Sequence, residues 1–410
     1  MSEVAQAIHS SPDGHIPQLR FPEFSGEWMT DELSNLIEIS SNKFNPNTSN
    51  ESKKCIELEH LSQETGELLG YTDSTAQAST KNAFTKGQVL FGKLRPYLKK
   101  FWLSQFDGVC SSEIWVLNGK KLANNYLFQF IQTNKFNQIA NVSSGSKMPR
   151  SDWKYMVQVP FKYTTKPEQQ KIAAFLTAVD NKIEQLSKKQ ALLGEYKKGL
   201  MQQIFSQAIR FKADDGSDFP NWEEKKLGDV VSTPVSDGPH LTPKFVKQGV
   251  PFLSVNNLVE SKIDFSNVRY ISIDDHLVFS KKCKPKKGDV LLGKAASVGK
   301  VAFVETDVEF NIWSPIAMIR PGNSNFSKYI YYCFQTRFIL NQISKFTNSS
   351  SQGNIGMGDI NKIIIKLPNK LEQTKIANLL SSIDSKIEQV GKQLRESKQF
   401  KKALLQQMFV

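Results

Sequence analysis

Apolar residues recur at alternating steps of three and four along two long stretches of this chain. The stretches run from Glu168 to Phe205 and from Glu372 to Phe409. Such spacing is typical of helices that bury one seam against a partner. The expected pairing positions are Ile172, Leu176, Val179, Ile183, Leu186, Leu200, Ile376, Leu380, Ile383, Ile387, Val390 and Leu404. The pattern predicts two long helices that bury each other, although two amphipathic helices lying on their own domains would look similar.

The two helical stretches are copies of one another. They align without a gap, and 18 of the 38 aligned positions are identical. Unrelated segments would share roughly two or three, so the chain contains an internal duplication. Polar residues interrupt the seam at Gln190, Lys197, Ser397 and Lys401. Polar seam positions cost stability and can fix the register or orientation of a helix pair.

Signals at the helix ends predict where the helices begin, and the connectivity of the chain predicts how they pair. Thr165 with Glu168, and Asn369 with Glu372, match the capping signature in which each side chain satisfies a backbone donor. The first helix must carry the chain to a second body, and the short segment 206–218 cannot readily return it for parallel pairing. We therefore expect antiparallel helices. At about 1.5 Å per residue, roughly 39 residues would make a rod of ~58 Å.

The segments before each helix repeat more loosely and predict mixed secondary structure. Predicted strands are apolar runs at 87–91, 113–117, 250–255 and 300–304, and predicted body helices are 126–136 and 329–346. The fold class is therefore α+β: two mixed α/β bodies and two long antiparallel helices that form a coiled coil with pseudo-twofold symmetry. The predicted segments are a disordered tail 1–16, a first body 17–164, a central helix 165–206, a second body 207–368 and a C-terminal helix 369–410.

Composition indicates the class of partner. The chain has 410 residues, of which 39% are hydrophobic, and this is enough to form two cores. Its net charge of +13 favours a polyanion as the partner. No acidic residue occurs between Ala76 and Phe106, and lysines are concentrated again between Lys281 and Lys300. Both clusters favour nucleic acid as the partner. A lysine-rich face that serves only solubility is the alternative. No stretch resembles a signal peptide or a membrane span, so we expect a soluble cytoplasmic protein with no membrane partner.

Candidate nucleic-acid contacts lie in the basic runs and in two serine-rich segments that precede the long helices. The candidates are Lys93, Arg95, Lys99, Lys100, Ser143, Ser144, Lys147, Arg150, Lys294, Ser297, Lys300, Ser350, Ser351 and Asn354. Backbone N–H groups and hydroxyls of such loops can approach phosphates or base edges, or the loops have no binding role. Arg95 and Arg150 suit bidentate guanine contacts, and salt bridges within the body are the alternative for either.

Residue patterns for catalysis are lacking in the sequence. Cys55, Cys110, Cys283 and Cys333 are widely separated and suit buried or surface thiols better than disulfides or zinc ligands. The five histidines show no metal-ligand spacing. The segment 293–300 is one residue too long for a phosphate loop, and Val301 stands where such a loop needs Ser or Thr. We therefore expect a binding protein with no catalytic residues, no metal site and no cofactor of its own.

The chain resembles the DNA-specificity (S) subunit of bacterial type I restriction-modification enzymes. The resemblance covers about residues 17–410 and rests on EQQKIAAFLTAVDNKIEQ and EQTKIANLLSSIDSKIEQ in the helices, with GKLRPYL and LLGKAASVGKVAF in the bodies. It implies that the bodies are target-recognition domains and that the helices are spacers. It also implies two methyltransferase (M) subunits, which carry S-adenosylmethionine and methylate adenine, and two restriction/translocase (R) subunits. ATP and magnesium would be used by those partner subunits.

The resemblance implies a sequence-specific subunit that directs its partner subunits to double-stranded DNA. Because the two bodies diverge, the target would be asymmetric and split by a non-specific gap. The duplicated charged stretches 180–184 and 384–388 would dock methyltransferase subunits, unless they are plain solvated surface. The alternative function is a non-catalytic scaffold that tethers two protein partners, which would not need the basic clusters. A stand-alone nuclease or methyltransferase would need an active-site motif that the sequence lacks.

Overall fold

The computed structural model describes residues 15–49, 51–142, 148–348 and 353–410. The chain divides into two compact units. Unit 1 consists of residues 1–188 and 391–410, and unit 2 consists of residues 189–390. The predicted disordered tail falls largely on residues 1–14, outside the described residues. The His15 carbonyl accepts a hydrogen bond from the Trp28 N–H at 3.0 Å, so the chain is tied into unit 1 from its first described residue.

Unit 1 is a mixed α/β body followed by the first long helix. Its strands are β1 (Met29–Glu32), β2 (Ile37–Ile39), β3 (Lys43–Phe44), β4 (Lys54–Ile56), β5 (Thr72–Asp73), β6 (Lys81–Phe84), β7 (Val89–Gly92), β8 (Phe101–Leu103), β9 (Gly108–Cys110), β10 (Ile114–Gly119) and β11 (Pro160–Tyr163). Its helices are α1 (Leu33–Leu36), α2 (Asn124–Phe130), α3 (Asn134–Ala140), α4 (Trp153–Met156) and the start of α5 (Lys166–Phe205).

Unit 2 repeats this plan and ends in the second long helix. Its strands are β12 (Glu223–Lys226), β13 (Ser236–Asp237), β14 (Phe245–Val246), β15 (Val250–Leu253), β16 (Leu258–Val259), β17 (Lys262–Ile263), β18 (Arg269–Ile271), β19 (Val290–Gly293), β20 (Val301–Phe303), β21 (Asn311–Ile312), β22 (Ile316–Ile319) and β23 (Ile364–Leu367). Its helices are α6 (Ile273–Ser280), α7 (Ser327–Cys333), α8 (Arg337–Asn348), α9 (Met357–Lys362) and the start of α10 (Lys370–Gln407).

Each unit has a four-stranded sheet whose strand order is the same in both units, and a second sheet that differs between them. The sheet β2-β10-β7-β8 of unit 1 has the same antiparallel order as β13-β22-β19-β20 of unit 2. The second sheet has five strands in unit 1 (β3-β6-β9-β4-β5) and four in unit 2 (β14-β18-β15-β21), each with one parallel pair. Two mixed α/β bodies with a common scaffold confirm the predicted fold class.

Predicted strands agree with observed ones, but two predicted helices are wrong in their continuity. The predicted helix 126–136 is divided into α2 and α3, and 329–346 lies across α7 and α8. The breaks have one cause. The Thr133 hydroxyl accepts from the Phe136 N–H and the Thr336 hydroxyl from the Ile339 N–H, both at 3.4 Å, so each threonine starts a new helix. Neither threonine interrupts the apolar pattern, which is why the periodicity did not show the break.

The long helices pair antiparallel, as predicted. In unit 1, Ile172 and Leu176 from the start of α5 share one apolar core with Leu404 from the end of α10. In unit 2, Met201 and Ile204 from the end of α5 share a core with Ile376 and Leu380 from the start of α10. Of the remaining pairing positions, Leu186, Ile383 and Val390 are buried and Val179, Ile183, Ile387 and Leu200 are half-buried. Each core also contains residues of the body, so the helix ends are part of the bodies.

Matching aromatic clusters anchor the far end of each helix. In unit 1 the Phe409 ring lies 6.3 Å from Trp28 and 5.2 Å from Tyr126, measured between centroids. In unit 2 the Phe205 ring lies 6.3 Å from Trp222 and 5.7 Å from Tyr329. Large buried rings contribute much of a core's burial energy, and edge-on contacts such as those of Phe409 with Trp28 and of Phe205 with Trp222 are favourable. The duplicated phenylalanines therefore close the two cores in the same way.

The glutamates of the capping signatures have a further role as buried ion-pair partners. Asn369 does cap α10, since its Oδ1 accepts from the Glu372 N–H at 2.9 Å. Glu168 and Glu372 themselves are almost fully buried and bind Arg20 and Arg210, each at 2.8 Å. A buried carboxylate is tolerated only when paired and hydrogen-bonded. These contacts fasten the first residues of each body to the first turn of its long helix.

Candidate nucleic-acid interface

Basic loop 1, residues 93–100, follows the fully buried strand β7 and reaches the surface of unit 1. Arg95 and Lys99 both adopt left-handed backbone conformations, with φ of 53° and 47°, on either side of a turn at 96–98. Each such residue costs on the order of 1 kcal/mol or more, and strain of this kind is concentrated at functional sites. Pro96 is buried and holds the turn, whereas Arg95 and Tyr97 are exposed.

The fold brings basic loop 1 together with the second group of candidate residues. The Arg95 N–H donates to the Pro149 carbonyl at 2.7 Å, and the Ser151 N–H donates to the Lys93 carbonyl at 2.9 Å. In unit 2 the Ile355 N–H donates to the Lys294 carbonyl at 2.9 Å. The segment before each long helix is therefore attached to the basic loop of its own unit. The candidates Ser143, Ser144, Lys147, Ser350 and Ser351 lie outside the described residues.

Several candidate cations of unit 1 have partners within the protein. Arg150 forms a two-point ion pair with Glu113, with nitrogen–oxygen distances of 2.9 to 3.3 Å. Lys99 lies 3.0 Å from Glu64, and the Lys100 ammonium donates to the Leu58 carbonyl at 2.5 Å. Lys93 and Arg95 form no ion pair within the described parts of the chain. A guanidinium or ammonium already bound at an exposed pair can still approach a phosphate, because such pairs are worth little.

Electrostatics keeps the Glu113 carboxylate ionised. The hydrogen bonds from Arg150 lower the pKa of Glu113 below its usual value; burial opposes this shift and the Lys93 charge adds to it. Conversely, the hydrogen bond to Glu113 raises the pKa of Arg150. Glu113 lies in the turn between β9 and β10, far from Arg150 in sequence. Sequence reasoning missed Glu113, and only the tertiary structure shows that it binds Arg150 beside a basic run.

Basic loop 2, residues 294–300, occupies the equivalent place in unit 2, after β19. Lys294 is mostly buried and lies 3.1 Å from Asp237, which also binds Lys282 at 2.6 Å. Burial raises the pKa of Asp237, but Lys282 and Lys294 outweigh burial, so the pKa lies below its usual value. His240 Nε2 is 3.5 Å from the same carboxylate. The predicted DNA contact Lys294 is thus an internal partner of Asp237, a residue that sequence reasoning missed.

The remaining candidates of unit 2 lie around the same loop. Lys300 is exposed, and Ser297 and Asn354 are half-buried. Ala296 has a left-handed φ of 60°. A Cβ atom at Gly293 would come within 2.5 Å of the Ser297 carbonyl oxygen, so the tight approach of this loop to β19 requires glycine. Basic loop 2 is therefore as constrained as basic loop 1, by different residues.

Aromatic rings hold further cations beside the second sheets. The Arg269 guanidinium lies 4.1 Å from the centre of the Phe245 ring and 5.4 Å from that of Trp313. In unit 1 the Lys54 ammonium lies 4.4 Å from the Phe106 ring and 4.8 Å from Tyr71. Cation–aromatic contacts of this length are favourable and orient the charge. Arg269 lies on β18 and Lys54 on β4, in the sheets that differ between the units, so the two cations give each unit its own cationic surface.

The cysteine side chains add no reactive thiol to these surfaces. All four cysteines are buried free thiols. Burial raises the pKa of Cys55 and of Cys283 to about 11, and raises that of Cys110 and Cys333 further. Thiols of this kind are poor nucleophiles. Among the described residues, no group of three or more His, Cys, Asp and Glu side chains is placed to hold a metal ion, and no helix is long and apolar enough to cross a membrane.

Comparison with known protein families assigns the chain to a family. The model of the type I restriction modification DNA specificity domain matches residues 25–193 and again 220–396. The chain belongs to this family. Each match covers one body together with the first part of its long helix, so the internal duplication is a duplication of the specificity domain. Membership of the family implies recognition of a DNA target.

Curated relatives support the same assignment. The specificity subunit of the type I restriction enzyme MjaVIII of Methanocaldococcus jannaschii is 25% identical over 312 residues, which are 73% of this chain and 72% of the relative. The MjaIX specificity subunit of the same organism is 27% identical over 73% of this chain and 68% of its own length. The EcoDI specificity subunit of Escherichia coli is 33% identical over 116 residues, 28% of this chain and 26% of that protein.

Solved structures share the fold of the two specificity domains. The S subunit of a type I restriction-modification system from M. genitalium matches with a TM-score of 0.64 at 13% identity, over 96% of this chain and 99% of that chain. A structure from work on complex assembly and conformational transition of the type I R-M system matches with a TM-score of 0.53 at 18% identity, over 93% and 97% of the two chains. The agreement over nearly the whole length confirms the repeated architecture.

Proposed function

We propose that this chain is the non-catalytic subunit that reads an asymmetric, two-part DNA target and brings modification and restriction subunits to it. The observation that carries the proposal is the combination of a shared scaffold sheet with a different second sheet in each unit. A shared scaffold would present both units to the duplex in the same manner. Different second sheets and loops would read different bases, so the two half-sites would differ.

Each unit contacts the duplex through its basic loop. Exposed Arg95 and Lys300 fix the register on phosphates, and polar side chains of the attached segments reach base edges. Neutralising phosphates releases counterions, so binding weakens steeply as salt increases. The purified chain should therefore lose affinity for a duplex by several orders of magnitude between about 50 and 200 mM salt. Salt-insensitive binding would favour the alternative, a scaffold for two protein partners.

The long helices set the number of base pairs between the half-sites. Their lengths, 40 residues for α5 and 38 for α10, correspond to about 57–60 Å of helix. Inserting four residues into one helix adds about one turn, or ~6 Å. The gap should then lengthen while both half-sites keep their bases. Methylome sequencing of cells that carry the wild-type chain, the insertion variant or no chain tests this, and an unchanged gap would refute the spacer role.

The helices also carry a set of exposed residues that recurs in both copies. Lys182, Glu184 and Gln185 are exposed on α5, and their identical counterparts Lys386, Glu388 and Gln389 are exposed on α10. Buried identical residues, such as Ile172 and Ile376, are explained by the cores. Identity at exposed positions is better explained by one partner that binds twice. Two methyltransferase subunits fit this duplication, and two restriction/translocase subunits would join the assembly.

In this proposal the cofactors are bound by the partner subunits. S-adenosylmethionine would be bound by the methyltransferase subunits, and ATP and magnesium would be used by the restriction/translocase subunits. The purified chain should then bind duplex DNA without transferring methyl groups or cleaving it. Methyl transfer by the chain alone would overturn this proposal. Replacing Lys182, Glu184 and Gln185 by alanine should weaken capture of a methyltransferase subunit without weakening duplex binding by the chain.

A further inference from the structure

The Arg150 guanidinium is held along one edge and open along the other. Its Nε and Nη2 atoms donate to the two carboxylate oxygens of Glu113. A guanidinium carries five N–H donors in a rigid plane, and this pair engages two of them. Nη1 and the outer hydrogen of Nη2 have no acceptor within the described parts of the chain. Since 46% of the side chain is exposed, the open edge faces solvent beside basic loop 1.

The backbone that carries Arg150 is fixed on both sides. Before it, the Pro149 carbonyl accepts from the Arg95 N–H. After it, Ser151 is buried, and its hydroxyl donates to the Ala140 carbonyl at 2.8 Å. Arg150 itself forms an isolated β-bridge with Leu94. The side chain therefore starts from a rigid position, and Glu113 restricts the rest of its torsional freedom, which lowers the entropic cost of binding.

Glu113 is fixed as firmly as the arginine that it holds. Its own carbonyl accepts from the Lys93 N–H at 3.0 Å, so Glu113 is attached to the start of basic loop 1. Its carboxylate is ionised, because hydrogen bonds from Arg150 lower its pKa. A carboxylate only accepts hydrogen bonds. Glu113 therefore orients the guanidinium through two of its donors and leaves the other donors available to a ligand.

We propose that Arg150 reads one guanine through its open edge and that Glu113 is the positioning residue that aims it. The inference rests on the proposed function and names the base that one position of the unit 1 half-site requires. Guanine presents two acceptors, O6 and N7, to the major groove, and two parallel N–H groups of arginine match them. Lysine at this position would supply charge but not the paired donors.

Unit 2 lacks this pair at the equivalent place. The contact of the Ser151 N–H with the Lys93 carbonyl corresponds to that of the Ile355 N–H with the Lys294 carbonyl, so Asn354 stands where Arg150 does. The Lys294 N–H likewise donates to the Pro315 carbonyl at 2.8 Å, so proline replaces Glu113. The guanine reader therefore belongs to one unit, and changes to it should alter one half-site only.

The test is selection of binding sites from a randomised duplex library by the complex of this chain with its methyltransferase subunits. The wild-type complex should select a two-part motif with a guanine in one half-site. Arg150→Ala and Arg150→Lys should each reduce discrimination at that base pair by about 10- to 100-fold and leave the other half-site unchanged. Glu113→Gln should reduce it by a smaller factor, about 3- to 10-fold, without weakening the binding of non-specific duplex.

Matched controls separate the possible failures. Asn354→Ala, at the equivalent position of unit 2, should leave the guanine preference unchanged. Circular dichroism of each variant checks that it is folded, and Arg150→Lys keeps the charge if Arg150→Ala does not fold. If Arg150→Lys retained every base preference, or weakened all sequences equally, Arg150 would be a phosphate contact and the inference would be wrong. A wild-type complex that selected no motif would overturn the proposed function as well.

Discussion

The Lys401 ammonium lies 2.5 Å from the Asp180 carboxylate, and Lys197 lies 2.6 Å from Asp384. Each pair joins one long helix to the other, and both lysines are at the positions where polar residues interrupt the apolar seam. Lys401 and Lys197 retain only 11% and 15% side-chain exposure. The interruptions of the seam are thus paired charges placed where the antiparallel register brings them together, and another register would leave them without partners.

Residues from the bodies complete both clusters. Gln129 donates to Asp180 at 2.9 Å, and Lys401 donates to Gln132 at 2.6 Å. In unit 2 the Tyr332 hydroxyl donates to Asp384 at 2.7 Å, and Lys197 donates to Gln335 at 3.4 Å. Each carboxylate and each ammonium therefore has a second partner on the body beside it. Each cluster thus joins the two long helices to the body beside them.

Removing one carboxylate should destabilise the chain more than exchanging both charges. Asp180→Ala leaves Lys401 nearly buried without its counterion, and we expect a loss of about 1–3 kcal/mol in the free energy of unfolding. The double exchange Asp180→Lys with Lys401→Asp should recover at least half of this loss, because the amides of Gln129 and Gln132 can reverse their donor and acceptor atoms. Urea unfolding followed by circular dichroism measures both.

The exposed neighbour Lys402 supplies the control for this exchange. Lys402→Asp repeats the charge change of Lys401→Asp one residue away and should shift stability by less than about 0.5 kcal/mol. If Asp180→Ala were as stable as the wild type, the cluster would contribute nothing to the helix register.

Tyr329 and Tyr126, which lie at equivalent places in the two units, should respond differently to loss of the hydroxyl group. The Tyr329 hydroxyl donates to the Lys366 carbonyl at 2.6 Å, so Tyr329→Phe should cost about 0.5–1.5 kcal/mol. The Tyr126 hydroxyl is buried and has no hydrogen-bond partner among the described residues. Tyr126→Phe should therefore leave the stability unchanged or increase it by up to about 1 kcal/mol. Urea unfolding compares the variants, and equal losses in both would contradict the difference in partners.

The Arg150–Glu113 pair predicts a dependence on pH. The pKa of Glu113 is below its usual value of 4.5 because Arg150 donates to it, so the pair contributes its full stability above pH 4.5. That contribution is lost as the pH falls through the lower pKa of the folded state. NMR titration of the Glu113 carboxyl should show a midpoint below 4.5 in the wild type and a higher one in Arg150→Ala. Equal midpoints in the two proteins would show that Arg150 does not hold the carboxylate.

Buried thiols with raised pKa values predict low reactivity of the native chain. A disulfide reagent at pH 8 should modify none of the four cysteines quickly, since burial raises the pKa of Cys55 and Cys283 to about 11. Unfolding in guanidinium should release four reactive thiols per chain. Absorbance of the released thiolate counts them under both conditions. Rapid modification of a native thiol would mean that the residues that bury it move apart readily.

Local pattern was enough for the parts of this molecule that depend on neighbours in sequence. Apolar spacing predicted α5, α10 and the shared strands, because helices and strands bury one face at a fixed period. The short segment 206–218 between the first helix and the second body predicted the antiparallel pairing. Polar seam residues such as Lys197 were recognised as elements that fix the register, but their partners were not. The helix breaks at Thr133 and Thr336 escaped notice, because a single hydroxyl can start a new helix within an unbroken apolar pattern.

Tertiary structure alone decided which charges meet. Lys294 and Lys93 have the same place in their runs, yet the first lies against Asp237 and the second beside Glu113, and these acids come from different elements. Nothing in the local sequence marks either carboxylate, since each approaches its lysine only through the sheet order. Ion-pair geometry depends on distances between strands far apart in the chain, whereas helical periodicity depends on the next four residues. For that reason the helices could be predicted, and the ion pairs of the basic loops had to be located in three dimensions.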